Sequence, residues 1–366
     1  MNGNIAARRS RAARALTDKK IDAMLLTCSS DLTYLTGYRI FPSERLTCLV
    51  LTAAGAAHLV VPLLEGPRAR ATVRDLPILT WTETEDPIAR VRDLVGGASV
   101  LALADQMWAA FVIPFSRAFP GVRFETASEV LRPLRMRKDE DELTALRDAG
   151  AAADRAFERL AREVRFAGRR EQDVARDLTA LLLEEGHEEV KFCIVASGPN
   201  GASPHHDTGD RVIRDGDVVV CDFGGTVRSY TSDLTRTVFV GDGDVPEEVR
   251  RVHDAVRRAQ EAGYVAARRD ARAQEVDRAA RRTIADAGYG GQFVHRTGHG
   301  IGLDGHEHPY LVEGNDERLE PGMTFSIEPG IYLEGRFGVR IEDIVELSGD
   351  GPRPLNRVDR GLARVR

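Results

Sequence analysis

The sequence is poor in cysteine, poor in aromatic residues and without any long apolar run. Only four cysteines, Cys28, Cys48, Cys193 and Cys221, are spread over 366 residues, and none has the paired spacing of a metal site. That excludes a disulfide scaffold and points to reduced, mostly buried thiols and a cytoplasmic protein. Cys221 adjoins an acidic candidate residue, but a free cysteine in an apolar strand reads as core. No apolar stretch approaches the ~20 residues of a spanning helix, so no membrane partner is expected. Arg8, Arg9, Arg11 and Arg14 crowd the N-terminus without an apolar segment behind them. This is no signal peptide, and the arginines read as the solvated face of a first helix. Positive charge is not in excess either: 51 Lys+Arg stand against 57 Asp+Glu, a net charge of −6, which argues against a nucleic-acid partner.

The chain is long enough for two domains, and 42% of it is hydrophobic, enough for real cores. Up to about residue 130, helical and strand-like pieces alternate. Ile5–Lys20 and Pro87–Val95 read as helices, and Ala23–Thr27, Leu46–Thr52, His58–Val61, Val100–Leu103 and Val122–Phe124 as strands, an α/β pattern. The basic, proline-containing Arg132–Lys138 reads as a connector, giving domains 1–131 and 132–366. Asp139 and Glu142 then resemble a capping box. Leu143, Leu146, Gly150, Ala153, Phe157 and Leu160 follow at helical spacing, and Val174, Leu178, Leu181 and Leu182 mark a second helix. Another helix pair, one beginning at Pro246 and one carrying Val276, Ala280 and Ile284, precedes the last strands. The arrangement suggests a duplicated α+β unit.

The chemistry concentrates between Val218 and Glu342. Val218–Cys221 reads as a buried strand ending on Asp222, and Tyr230–Val240 is β-prone. A hairpin turning at Val227-Arg228 would set Asp222 opposite Asp233, with Cβ atoms roughly 4.5–5.5 Å apart. Carboxylates that close repel, and one pKa rises unless cations lie between them. Met323–Ile327 leads to Glu328, and Gly338–Ile341 to Glu342. A turn centred on Gly335 sets that pair opposite as well, with Pro329-Gly330 bulging the first strand. His299 sits in Gly298-His299-Gly300-Ile301-Gly302, where glycine permits close backbone approach. One imidazole with four carboxylates suits two divalent ions: manganese, with cobalt or zinc as competitors. Such a site can activate water and clamp a tetrahedral intermediate.

These motifs together resemble the pita-bread metallopeptidases, the family of methionine aminopeptidase, aminopeptidase P and prolidase. The resemblance rests on Asp222 and Asp233 spaced by eleven, Gly298–Gly302, Glu328-Pro329-Gly330 and Arg340-Ile341-Glu342-Asp343. Ser30–Tyr38 resembles the N-terminal domain of prolidase, aminopeptidase P and creatinase, which simple methionine aminopeptidases lack. The resemblance implies an α/β N-terminal domain and an α+β pita-bread catalytic domain. It implies that Asp233 and Glu342 bridge two metals, that Asp222 serves one, and that His299 and Glu328 serve the other. Glu328 would also shuttle the proton of the attacking water.

By the same resemblance His205 and His306 touch the reacting carbonyl, and His295 lies on the substrate side. His308 reads by default as an exposed loop histidine, and His206 equally well as a loop histidine or as a substrate-side residue. Arg340 would meet a substrate carboxylate or support the ligands through its planar donor fork. The proline-specific branches hydrolyse Xaa-Pro bonds, tertiary amides without an N–H. Prolidases carry an arginine shortly after the His306 position. Here Tyr310 stands there, and Arg318 is the candidate replacement. The expectation is a dinuclear, homodimeric peptidase acting on Xaa-Pro dipeptides or peptide N-termini. The alternatives are a non-peptidase hydrolase or lyase on the same fold, or a silent peptide-binding module; the intact ligand set argues against the last.

Overall fold

A computed structural model describes residues 2–366. Its contacts divide into two units, one ending at Arg135 and one spanning Met136–Arg366.

The first unit is a mixed sheet of six strands flanked by helices. The strands are β1 (Ala23–Leu26), β2 (Cys48–Thr52), β3 (Ala57–Pro62), β4 (Ile78–Trp81), β5 (Val100–Leu103) and β6 (Arg123–Thr126), in the order β4-β3-β2-β1-β5-β6. The helices are α1 (Asn2–Asp18), α2 (Ser30–Thr36), α3 (Gly66–Thr72), α4 (Pro87–Val95), α5 (Ala109–Ala118) and α6 (Ser128–Met136). All four residues of β1 are buried, as a central strand with both faces covered requires. Ser29 caps α2 by accepting from Leu32 N at 3.3 Å, and Gly37 ends it at φ 70°. Two expectations need correction. Arg8 and Arg9 are buried, not solvated: Arg9 donates to Leu35 O at 2.8 Å and pairs with Asp75, and Arg8 lies 4.7 Å over the Tyr34 ring. The basic segment taken as a connector is largely the end of α6, with Pro133 inside the helix.

The second unit repeats one plan. α7 (Glu140–Glu163) starts at the expected capping box: Glu142 N donates to Asp139 Oδ1 at 3.1 Å, and Asp139 N to Glu142 Oε2 at 2.9 Å. With α8 (Glu171–Glu184) it shares an apolar core with a sheet made of β7 (Glu189–Ser197), β8 (Val218–Val227), β9 (Tyr230–Thr231), β10 (Leu234–Val240) and the C-terminal Ala363–Val365. Phe157 stacks on Phe223 in that core, and Cys221 is wholly buried in it. α9 (Glu247–Ala266) and α10 (Ala273–Asp286) precede the second set: β11 (Gly298–Gly300), β12 (Glu307–Leu311), β13 (Thr324–Ile327), the hairpin β14 (Gly330–Leu333) and β15 (Phe337–Arg340), β16 (Asp343–Ser348) and β17 (Gly351–Pro354). Among the described residues no helix is long and apolar enough to cross a membrane.

One buried group in α9 makes stability pH-dependent. His253 has no hydrogen-bond partner at Nε2, and burial first, then Arg257, pushes its pKa down to about 4. Asp254, Asp359 and Arg236 are its other charged neighbours. The unfolded chain takes a proton near pH 6.5 that the folded chain refuses until about 4. The contribution is therefore full above pH 6.5 and lost as pH falls, by up to about 3 kcal/mol. Urea melts of His253→Leu between pH 7 and 4.5 should show a shallower acid loss than wild type. Parallel curves would rule this group out.

Candidate metal centre

The acids are placed by two hairpins. In the first, Thr226 pairs with Thr231, Val227 with Tyr230, and Asp222 with Thr235. The turn is Arg228-Ser229, at φ 50° and 72°, one residue later than expected. Two positive-φ residues in a two-residue loop match the twist of the flanking strands. Glu188 pins them, accepting from Arg228 N at 3.0 Å and Ser229 N at 3.2 Å. The correction leaves Asp233 diagonal to Asp222 rather than opposite. Moving a turn by one residue shifts the pairing by two, so both acids keep the same face.

In the second, Gly330 pairs with Arg340 and Ile327 with Asp343. The same register runs on both sides of Glu328 and Glu342, so they fall opposite, with Gly335 at φ 73° in the turn. Neither acid belongs to the ladder. Glu328 N donates to Thr297 O at 2.8 Å, and Glu342 N to Thr235 O at 3.1 Å. The second bond ties the two hairpins together. His299 arrives on β11, squeezed between β12 and β13. A Cβ at Gly298 would lie 2.0 Å from Ser326 O, and one at Gly300 2.1 Å from His308 O. Only glycine fits on either side of the imidazole.

Thus all five expected ligands converge. Asp222, Asp233 and Glu342 offer oxygens within 4.8 Å of one another, as do the ligand atoms of His299, Glu328 and Glu342, and of Asp233, His299 and His306. His299 Nδ1 donates to Gly300 O at 3.0 Å, which turns Nε2 to Glu328 Oε1 at 3.2 Å and Asp233 Oδ2 at 3.8 Å. Burial, then Asp222, raises the Asp233 carboxyl well above its ordinary range; burial, then Asp233, does the same to Glu342. Burial also pushes Glu328 up, but the hydrogen bond and charge of His299 outweigh it and hold it at about 2. Burial opposes charge on His299, and Glu328 overrides it, so that pKa rises. Glu342 Oε1 is buried without a hydrogen-bond partner. Such an orphaned oxygen among crowded carboxylates is one that a cation would satisfy, and the oxygen-rich donor set fits hard divalent ions.

The surround was only partly foreseen. Arg340 is buried, donating to Asp222 Oδ2 at 2.6 Å, to Thr235 Oγ1 at 3.1 Å and to Tyr332 Oη at 2.9 Å. Tyr332 Oη lies 2.8 Å from His295 Nε2, so one polar chain joins His295 to Asp222. Thr235 Oγ1 is 2.9 Å from Asp222 Oδ1 and 2.7 Å from Glu342 Oε2. A cavity of about 380 Å³ opens over the acids, with Phe192, Ile194, His205, His295, His306 and Arg296 in its wall. His306 is neutral at pH 7, because burial, then His299, lowers its pKa to about 4.

The loop carrying His205 is held by the fully buried Glu171. It accepts from Ser197 N at 2.6 Å, Ser197 Oγ at 2.7 Å and Asn200 Nδ2 at 3.1 Å, and meets His206 Nε2 at 3.2 Å. His206 is therefore a loop anchor. His308 packs on Tyr310, with ring centroids 4.4 Å apart, and is half-buried rather than exposed. Arg318 is exposed, donates to Asp270 O at 3.0 Å and is absent from the cavity wall, so it does not replace the expected arginine. Tyr332, Thr235 and Glu171 lacked a motif: a lone tyrosine, a strand threonine and a first-turn glutamate are ordinary in sequence.

Residues 144–348 match the metallopeptidase family M24, and residues 8–137 the creatinase/prolidase N-terminal domain. The chain is 47% identical over 359 residues to a probable dipeptidase PepE of Mycobacterium tuberculosis, covering 97% of this chain and 95% of that protein. It is 34% identical over 358 residues to an Xaa-Pro dipeptidase of Lactobacillus delbrueckii subsp. lactis, covering 95% and 96%. Among solved structures, dipeptidase PepE from Mycobacterium ulcerans superposes with a TM-score of 0.92 at 43% identity, over 99% of this chain and 98% of that one. A recombinant prolidase from Thermococcus sibiricus gives 0.91 at 35%, over 99% and 98%.

Proposed function

The chain belongs to metallopeptidase family M24, with a creatinase/prolidase N-terminal domain, and from that premise we propose that it hydrolyses Xaa-Pro bonds, in dipeptides or at peptide N-termini. The observation that carries this reading is the convergence of Asp222, Asp233, His299, Glu328 and Glu342 beneath a cavity walled by His205 and His306. The relatives described as Xaa-Pro dipeptidase and prolidase support it.

Asp222, Asp233 and Glu342 would hold one divalent ion and His299, Glu328 and Glu342 a second. Asp233 and Glu342 are the two acids common to more than one close group, and either could serve both ions. Manganese suits four carboxylates and one imidazole better than zinc or cobalt does. When bound, such a pair supplies Lewis-acid activation of water and of the peptide carbonyl. Glu328, kept ionised by His299, accepts the proton of the attacking water and delivers it to the leaving prolyl nitrogen. His205 and His306, both on the cavity wall, donate to the carbonyl oxygen as it gains charge. Arg340 fixes the rotamer of Asp222, and through Tyr332 it fixes His295 on the substrate side. An Xaa-Pro bond offers no N–H, so recognition falls on the carbonyl, the ring and the termini.

The four cysteines are free, which supports a cytoplasmic location. A homodimer is supported by the first unit's exposed Phe41, Leu64 and Trp108, at 80%, 60% and 47% exposure around one hollow.

The direct test is activity on Ala-Pro, Ala-Pro-Ala and Met-Ala-Ser after adding manganese, cobalt or zinc to metal-free protein. The proline peptides should be cleaved at least tenfold faster than Met-Ala-Ser, and best with manganese. Activity confined to Met-Ala-Ser would overturn the proline assignment while leaving the peptidase.

A further inference from the structure

Arg296 is a cation in an acid-rich cavity with no acid of its own. It lines the same cavity as the five ligands. Its guanidinium lies 4.2 Å from the centre of the Tyr310 ring, and its Nη2 is 3.3 Å from His306 Nδ1. No carboxylate among the described residues pairs with it, whereas Arg340, the other arginine of the wall, is tied to Asp222 at 2.6 Å. A guanidinium held over an aromatic ring, with no carboxylate paired to it, has donors left for a planar, bidentate anion.

The geometry says which anion. The His306 and His299 rings are 3.9 Å apart, so Arg296 stands one imidazole beyond the ligand cluster. In an Xaa-Pro dipeptide the scissile carbonyl carbon and the terminal carboxylate carbon are three bonds apart, at most about 4 Å. With the carbonyl over the ligands and beside His306, the carboxylate reaches the guanidinium. A longer peptide would place an uncharged amide there.

We propose that Arg296 binds the C-terminal carboxylate of the substrate and so makes this site a dipeptidase. This inference rests on the Xaa-Pro reading for its substrate, but not for its test. Tyr310, standing where prolidases carry an arginine, here supplies the platform on which a different arginine lies.

Two measurements separate the possibilities. Calorimetry on the manganese-loaded protein compares acetylproline with acetylproline amide, the same ring with and without the charge. Wild type should prefer the acid at least tenfold, Arg296→Gln should bring the two within about threefold, and Arg296→Lys should fall between, as expected for a charge-assisted hydrogen bond. Turnover of Ala-Pro against Ala-Pro amide should show the same collapse of preference, through KM rather than kcat. If Arg296 merely orients His306, acid and amide suffer equally and the proposal falls. It also falls if the acid preference survives in Arg296→Gln or is missing from wild type. Discrimination that depends on Arg296 in a protein unable to cleave Ala-Pro would sink the Xaa-Pro reading and leave the carboxylate site standing.

Discussion

Asp233→Asn is expected to abolish peptide turnover, by about 10³-fold or more, while leaving a folded protein. Asp233 belongs to two of the three close ligand groups, so its loss weakens both halves of the centre. Asparagine keeps the shape and one acceptor oxygen, and it removes the charge that a metal-holding carboxylate would supply. Folding should not suffer. In metal-free protein this carboxyl is buried against Asp222 and Glu328, and losing its charge relieves repulsion. The metal-free variant should therefore melt no lower than metal-free wild type, and it should retain less than two equivalents of manganese. Kinetics at saturating manganese, metal analysis and thermal melts settle the matter together. Full activity would remove Asp233 from the chemistry, and a collapsed melt would mean that the loss of activity reported only misfolding.

The convergence of the five candidate groups was legible because each of its parts is a local pattern. An apolar strand ending on an acid, a β-prone return and a second acid eleven residues on must put both carboxylates on one face whenever the turn shifts by whole residues. That is why a misplaced turn still brought both acids to one face. The turn itself was not legible. Arg228 and Ser229 are not turn formers of the Asn-Gly kind, and they take positive φ because Glu188, forty residues away in sequence from Arg228, accepts both of their amides. The buried Arg8 and Arg9 failed for the same reason. Burial of an arginine depends on a distant partner, here Leu35 O and Asp75 for Arg9 and the Tyr34 ring for Arg8, that no helical periodicity encodes. Glu171, Tyr332 and Arg296 likewise become functional candidates only through contacts with residues far along the chain.

Chelation carries the second large effect, and its pH dependence follows from the crowding of acids. Protein stripped of metal should lose essentially all turnover and recover it with manganese. It should also melt lower: an ion present at a hundredfold excess over its dissociation constant adds about 2.7 kcal/mol, roughly 5–10 °C for a unit of this size. In the stripped protein Asp233 and Glu342 have raised pKa values, so the folded state holds protons that the unfolded state has released. Their contribution falls as pH rises from the ordinary carboxyl range through the raised values. His299, also raised, contributes below its ordinary 6.5 and loses that contribution as pH rises through its folded value. Glu328, lowered to about 2, acts only in acid, where its contribution fades as pH falls from 4.5. As pH rises from the ordinary carboxyl range through these raised values, the raised groups therefore all weaken the metal-free form, while cations replace the lost protons in the loaded form. His253 titrates alike in both and cancels. The gap between loaded and stripped melting temperatures should widen steadily across that range, as scanning fluorimetry with and without manganese would record. A gap that narrows with rising pH, or no gap at all, would mean that these carboxylates are not where the ions bind.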